Sequence, residues 1–345
     1  MYYMKRLLVL LLALLVLTVF VSCGGDDGET SSVEGMSSSP SSAEESPEET
    51  NESLETTEES SEVSEMSEEL KKIPIPEGAT VITNLDYSNG NGKMGDADGP
   101  AYAVYSKVGY NKASMDVKIS DIKINNIRQS DGKFVNAYIF LGCDVYNGTW
   151  WSNCFDAGFC YAGTKPAWHL FYNIYEPAES GQKSWYESSV KLNPKHDYRL
   201  ILDTSEENTK ATVIIYDLTD ALEADRVSFY VKGMKADGSN TAYLMDFALD
   251  YPPNTKLDTS GKPSEDWVEI TLYNTDEDLY MQNVLVDNVK IYKGENEYVW
   301  DETHTNNRSL WPDNSYTEFD YACTKVITLG DTYDYEFRVD LDMNR

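Results

Sequence analysis

Positive charge is scarce in this chain. Its 345 residues hold 28 Lys and Arg against 59 Asp and Glu, a net charge of −31. A polyanion would be repelled, which argues against nucleic acid as a partner and against docking on an anionic membrane through a basic patch. Histidine is almost missing too: there are three, without His-x-x-x-His or Cys-x-x-Cys spacing, so zinc is not expected. No Gly-x-Ser-x-Gly, Walker-type or dinucleotide glycine motif is present. No cofactor is implied. Long amphipathic helices are also lacking, and the best helical stretch, Thr219 to Asp225, is little more than a turn. No fixed-period repeat occurs, which argues against a propeller or solenoid.

What is present is unevenly spread. Residues 26–70 hold 14 Glu and 2 Asp with no Lys or Arg, among runs of Ser and Thr such as Ser37-Ser38-Ser39. Such a segment cannot bury enough apolar area to offset the entropy of ordering, and its like charges extend it. It reads as a solvated tether. Ahead of it, Lys5 and Arg6 precede an apolar run from Leu7 to Val21 in which only Thr18 is polar. As a helix that run would reach about 22 Å, short of the ~30 Å hydrocarbon core, and fits the apolar core of a signal peptide better than a permanent span.

The run ends in Phe20-Val21-Ser22-Cys23. This resembles the signal of bacterial lipoproteins, with Phe20 in place of the usual Leu. By that resemblance the chain is cleaved behind Ser22 and Cys23 carries the lipid. The implied organisation is a lipoprotein signal peptide over 1–22, a lipidated Cys and disordered linker over 23–71, and one folded domain over 72–345. The implied location is the cell envelope, with the domain facing outward and an N-terminal lipid as the sole membrane contact.

From about Ile73 the dominant pattern is alternation with period two, which sends successive side chains to opposite faces of a sheet. Tyr333, Tyr335, Phe337, Val339 and Leu341 alternate with acids and Arg338. Similar strands are expected at Val227/Phe229/Val231, Val268/Ile270/Leu272 and Tyr198/Leu200/Leu202. Between Met115/Val117/Ile119 and Ile122/Ile124 the parity slips, as a bulge or bend requires. Turn signals such as Asp131-Gly132, Asn147-Gly148 and Asp237-Gly238 punctuate the chain. The expected fold is all-β, a two-sheet antiparallel β-sandwich.

The segment Val284-Leu285-Val286-Asp287-Asn288-Val289-Lys290-Ile291-Tyr292 resembles a strand near the end of many bacterial jelly-roll modules. Those modules include laminin-G-like and concanavalin A-like sandwiches and several carbohydrate-binding families, so the resemblance implies a lectin-like jelly roll. Read from the residues alone, Val289 and Ile291 point inward and Lys290 outward.

The chain has 42 aromatic residues, and they are densest between Tyr146 and Trp185. Exposed flat rings suit the C–H faces of a sugar, while Asp and Asn suit its hydroxyls. Trp150 and Trp151 are consecutive, so both cannot face inward on a regular strand. With Asn153, Asp156, Trp168 and Trp185 they form the candidate ligand-binding set. Phe159, Tyr161 and Phe171 are expected to pack inward.

Glycosidic hydrolysis needs two carboxyls held about 5–5.5 Å or ~6.5–9.5 Å apart. Concanavalin-like glucanases often carry Glu-x-Asp-x-x-Glu on one strand, and no such strand occurs here. No catalytic residue is assigned, and Asp156 is the better cleft acid. The trio Asp334, Glu336 and Arg338 is explained by a solvated edge. His169 is expected to be a hydrogen-bonded structural residue, and His196 and His304 surface residues. Asp96 and Asp98, in Asp96-Ala97-Asp98-Gly99, are hard-oxygen candidates for a structural Ca²⁺. An EF-hand alignment on Gly99 fails because it puts Met94 at the first ligand position. Beyond Cys23, the cysteines Cys143, Cys154, Cys160 and Cys323 allow up to two disulfides.

These readings converge on an exported lipoprotein that binds an extracellular glycan without catalysis. Two alternatives stay open: a glycoside hydrolase or polysaccharide lyase with a noncanonical acid pair, and an adhesion or structural lipoprotein that binds another protein.

Overall fold

In the computed structural model, residues 73–83, 85, 100–128, 132–162, 166–250, 279–311, 324–328 and 336–342 are described. Their strands, numbered in chain order, form two antiparallel sheets. The larger sheet runs β1 (Thr80–Ile82), β16 (Thr324–Thr328), β17 (Phe337–Asp342), β13 (Tyr280–Lys293), β3 (Lys112–Val117), β9 (Tyr198–Asp203), β10 (Lys210–Asp217) and β11 (Leu222–Tyr230). In it, β4 (Lys123–Asn125) and β14 (Asn296–Val299) also pair with β13. The smaller sheet runs β15 (Thr305–Trp311), β2 (Ala101–Ser106), β12 (Thr241–Asp250), β5 (Asn136–Asn147), β6 (Trp150–Tyr161), β7 (Trp168–Ile174) and β8 (Trp185–Glu187). This is the expected two-sheet antiparallel sandwich.

The alternating pattern explains why the sheets face each other. Leu200 and Leu202 on β9 and Val213 and Ile215 on β10 are fully buried, as are Ile139, Leu141, Phe155, Phe159 and Phe247 from the smaller sheet. Rings interlock across the gap, with Phe155 edge-on to Phe229 at 5.3 Å and Phe247 edge-on to Phe337 at 5.7 Å between centroids. Each fully buried Leu or Phe contributes about 1.5–3 kcal/mol, so the two inner faces dominate the stability.

Parity slips mark the irregular points. Between β3 and β4 the slip is a short 3₁₀ turn, Ile119–Asp121. In β13, Val284 and Val286 face the core, and so do Val289 and Ile291, which a regular strand forbids. The register shifts between Asp287 and Lys290, and Asn288 sits there at φ +50°, a left-handed conformation that Asn tolerates. Lys290 points outward to Glu297, as the residues indicated.

Three expectations are corrected. Thr219 to Asp225 is not a helix: the chain turns at Thr219–Ala221 and becomes β11 at Leu222, because pairing with β10 outweighs local propensity. The polar residues of β17 are not a solvated edge, since β17 lies between β16 and β13. Arg338 and Asp340 are buried, and the guanidinium donates to Asp340 and to the carbonyls of Ile73 and Pro74. Phe171 is buried, but on the outer face of the smaller sheet, with Cys160, Ala162, Tyr138 and Phe140. The strands expected over 268–272 and at Tyr333 and Tyr335 lie outside the described residues, as do Asp334, Asp96, Asp98, Cys23 and Cys323.

Candidate functional site

The site is built on the outer face of the smaller sheet, starting from the β5–β6 hairpin. Asn147 pairs with Trp150 across the two-residue turn Gly148-Thr149, with Gly148 at φ +67°. Next to it the register shifts: Tyr146 pairs with Trp151 but Val145 pairs with Asn153, leaving Ser152 as an extra residue. The Ser152 hydroxyl donates to the Val145 carbonyl at 3.0 Å. Without this bulge Trp151 and Asp156 would lie on opposite faces. With it, Trp151 shares the outer face with Asp144, Tyr146, Cys154 and Asp156.

Cross-strand pairing then fixes who meets whom. Leu244, Gly142, Asp156, Asn173 and Trp185 lie in one row across β12, β5, β6, β7 and β8. Strands are ~4.8 Å apart, so Trp185 stands about 10 Å from Asp156 with the exposed Asn173 between them. Asp144 and Cys154 pair in the next row, which makes Asp144 a diagonal neighbour of Asp156. Tyr175 follows β7; its ring lies 5.5 Å from that of Trp151. Trp185 is 40% exposed and leans on Phe171 and Tyr138. This face therefore carries two acids, with Trp185 two strands away across the sheet and the Trp151–Tyr175 pair further along β6 and β7.

The two acids sit in opposite environments. The indole N–H of Trp151 donates to Asp144 Oδ1 at 3.0 Å, and the Tyr146 hydroxyl donates to Oδ2 at 3.4 Å. The Asp156 carboxyl lies in space that only glycine leaves open: a Cβ on residue 142 would come within 2.6 Å of its Oδ1. Burial, and then the charge of Asp144, push Asp156 up to about 7. No Lys or Arg occupies an outward position on β2, β5, β6, β7, β8 or β12.

The other candidates are placed as follows. Trp150 is 56% exposed at the hairpin tip. Asn153 is buried on the inner side, donating to the carbonyls of Glu176 and Lys232 and accepting from the N–H groups of Cys154 and Glu176. It clasps two loops and does not reach the outer face. Trp168 is a core residue against Tyr161. His169 is fully buried as expected, but neither ring nitrogen has a hydrogen-bond partner, which departs from the hydrogen-bonded reading.

The remaining histidines are tied down rather than free at the surface. His304 Nδ1 meets the Tyr110 hydroxyl at 2.7 Å. His196 Nδ1 bonds Asp217 at 2.7 Å and lies 3.7 Å from Asp220, the one His/acid cluster of metal-ligand dimensions among the described residues. Asp217 also accepts from the N–H groups of Thr219 and Asp220, so the cluster reads as a turn clasp.

No disulfide joins Cys143, Cys154 and Cys160 to one another. Geometry forbids it: Cys143 faces the core, while Cys154 and Cys160 are six residues apart on one strand, about 20 Å.

Sequence reasoning missed Asp144, Gly142 and Asn173. Period-two parity along β5 and β6 was the available signal, but it needed the register and the bulge to become a site.

No family model matches the chain, and neither does any curated protein. Among solved structures it is similar to scytalido-glutamic peptidase with a transition-state-analogue inhibitor, at 7% identity and a TM-score of 0.39, covering 71% of this chain and 98% of that one. It is also similar to SCP-B, a member of the eqolisin family of peptidases, in a complex with a tripeptide (8% identity, TM-score 0.36, 72% and 100% covered). The CBM2 module of Lactobacillus casei BL23 phage J-1 evolved Dit gives 10% identity and a TM-score of 0.28, with 51% and 84% covered. Likenesses this distant say nothing of activity.

Proposed function

We propose that the chain is a lipid-anchored envelope protein that binds an extracellular glycan on the outer face of its smaller sheet. Cys23 would carry the lipid and residues 23–71 would act as the tether. The observation that carries the binding reading is the row from Trp185 through Asn173 to Asp156, with Trp151 and Tyr175 beside it further along β6 and β7. Rigid exposed rings offer apolar area to a pyranose at small entropic cost, and the carboxyls and amide between them accept and donate to its hydroxyls. The lack of Lys and Arg on β2, β5, β6, β7, β8 and β12 suits a neutral polyol better than an anionic polymer.

The test is binding of the full chain, held in detergent, to a panel of soluble and insoluble polysaccharides. Trp185→Ala is expected to weaken binding about tenfold, or ~1.4 kcal/mol. Silence across the panel, or binding indifferent to Trp185 and Trp151, overturns the reading in favour of a protein partner.

A further inference from the structure

We infer that this face also cleaves the glycan it holds, with Asp156 as general acid and Asp144 as general base in hydrolysis of a glycosidic bond. The inference rests on the glycan reading above and adds chemistry to it.

The pair spans two adjacent strands. Asp156 is opposite Gly142 and Asp144 is opposite Cys154, so the acids are diagonal neighbours whose Cα atoms are about 7–8 Å apart. Each has a device that sets its role. Trp151 and Tyr146 aim donors at the two oxygens of Asp144. Asp156 receives no donor among the described residues and lies against the Gly142 backbone beside that negative charge, so near neutrality it keeps its proton. Two neighbouring carboxyls in unlike environments, one buried without a donor and one with donors on both oxygens, are the arrangement that acid–base catalysis uses. A merely structural role does not account for them. On the larger sheet Asp116, Asp203 and Asp287 each meet a Lys or Arg, whereas Asp156 meets none.

The step balances without a co-reactant other than water. Asp156 gives its proton to the glycosidic oxygen as the bond from that oxygen to the anomeric carbon breaks. A water oxygen bonds to the same carbon, and its proton passes to Asp144. Exchange with solvent then returns Asp144 to its carboxylate and Asp156 to its acid. Asn173 and Trp185 continue the Asp156 row across β7 and β8, and Tyr175 and Trp151 lie further along β7 and β6 beside Cys154 and Asp144, so a chain resting on these rings reaches both acids.

The pH dependence follows from the same face. The titratable groups outward with Asp156 are Tyr105 on β2, Tyr138, Asp144 and Tyr146 on β5, Cys154 and Cys160 on β6, His169 on β7, Glu187 on β8 and Asp246 and Asp250 on β12, with Tyr175 beyond β7. None is a Lys or Arg, and the one histidine, His169, lies at the far end of β7 opposite Cys160. Activity is therefore expected to fall above about pH 7, where Asp156 loses its proton.

The experiment measures binding and release of new reducing ends together, on the full chain in detergent, with the same polysaccharide panel. Asp156→Asn and Asp144→Asn are each expected to cut release about 100-fold or more, a far larger loss than either causes in binding. Gly142→Ala, which displaces the Asp156 carboxyl without removing it, is expected to lose release as well. Unfolding midpoints accompany every variant, and the two isosteric amides keep the test open where Gly142→Ala fails to fold. Binding without release at any pH, or release that survives both amide variants, overturns the hydrolysis and leaves a binder. Neither binding nor release overturns both readings.

Discussion

The outer faces of the two sheets handle acidic side chains in opposite ways. On the larger sheet acids are neutralised: Arg199 grips Asp116 with two bonds of 2.6 and 2.7 Å, Lys112 lies 3.7 Å from Asp203, and Lys290 meets Glu297. Asn288, held at positive φ by the β13 bulge, adds a donor to Asp116. On the smaller sheet Asp144 and Asp156 are diagonal neighbours with side-chain donors, among the described residues, to Asp144 alone, and β2, β5, β6, β7, β8 and β12 carry no Lys or Arg. Both faces belong to one sandwich and share its core, so fold stability does not require the difference. Under the proposed function, that difference is the one a ligand site would retain.

Four perturbations bear on that contrast, in descending order of effect. Removing the neutralising partner on the larger sheet should cost most. Arg338→Ala strands the buried Asp340 and frees the carbonyls of Ile73 and Pro74, and is expected to lose about 4 kcal/mol in urea unfolding. A loss under about 1 kcal/mol would show that this pair is not the clasp described here.

Next comes the glycine that keeps β5 and β6 in close register on the smaller sheet. A Cβ at Gly158 would come within 2.6 Å of the Ile139 carbonyl and of Phe140 Cα, both backbone. Gly158→Ala should cost about 3 kcal/mol and broaden the amide spectrum of β5 and β6.

Removing an uncompensated acid should do the reverse. Folded Asp156 keeps its proton to about pH 7, whereas an unfolded Asp loses it near ~3.9. The folded state thus binds the extra proton between those values, and stability falls as pH rises through that window. Asp156→Asn should leave stability unchanged at pH 3 and raise it by on the order of 2 kcal/mol at pH 8. A destabilised variant at pH 8 would mean that Asp156 is compensated after all.

The smallest effect concerns His196. Its bond to Asp217 raises its pKa, so its contribution is complete below the unfolded value of about 6.5 and is lost as pH rises through the folded one. His196→Gln should lower the unfolding midpoint slightly at pH 6 and leave it unmoved at pH 9.

Much of this molecule is legible from alternation alone. Leu200/Leu202, Phe337/Val339 and Val289/Ile291 are buried as period two demands, and the slip after Ile119 is a real turn. The candidate site was only half legible. Trp151, Asp156 and Trp185 share the outer face, but Trp168 and Asn153 sit on the inner side, and neither aromatic density nor polarity distinguishes the two groups. Asp144 carried no local mark. It becomes notable only because Trp151 and Tyr146 donate to it and Asp156 is diagonal to it.

Local chemistry along the chain determined that residues from Ile73 onward form strands, that the sheets are amphipathic, and that acids outnumber bases two to one. Those properties depend on side-chain order and need no distant contact. Tertiary structure decided which acids meet a Lys or Arg, which glycine gives the Asp156 carboxyl its space, and which tryptophan is turned outward. These depend on register between strands, and one extra residue, Ser152, moves every side chain beyond it to the other face.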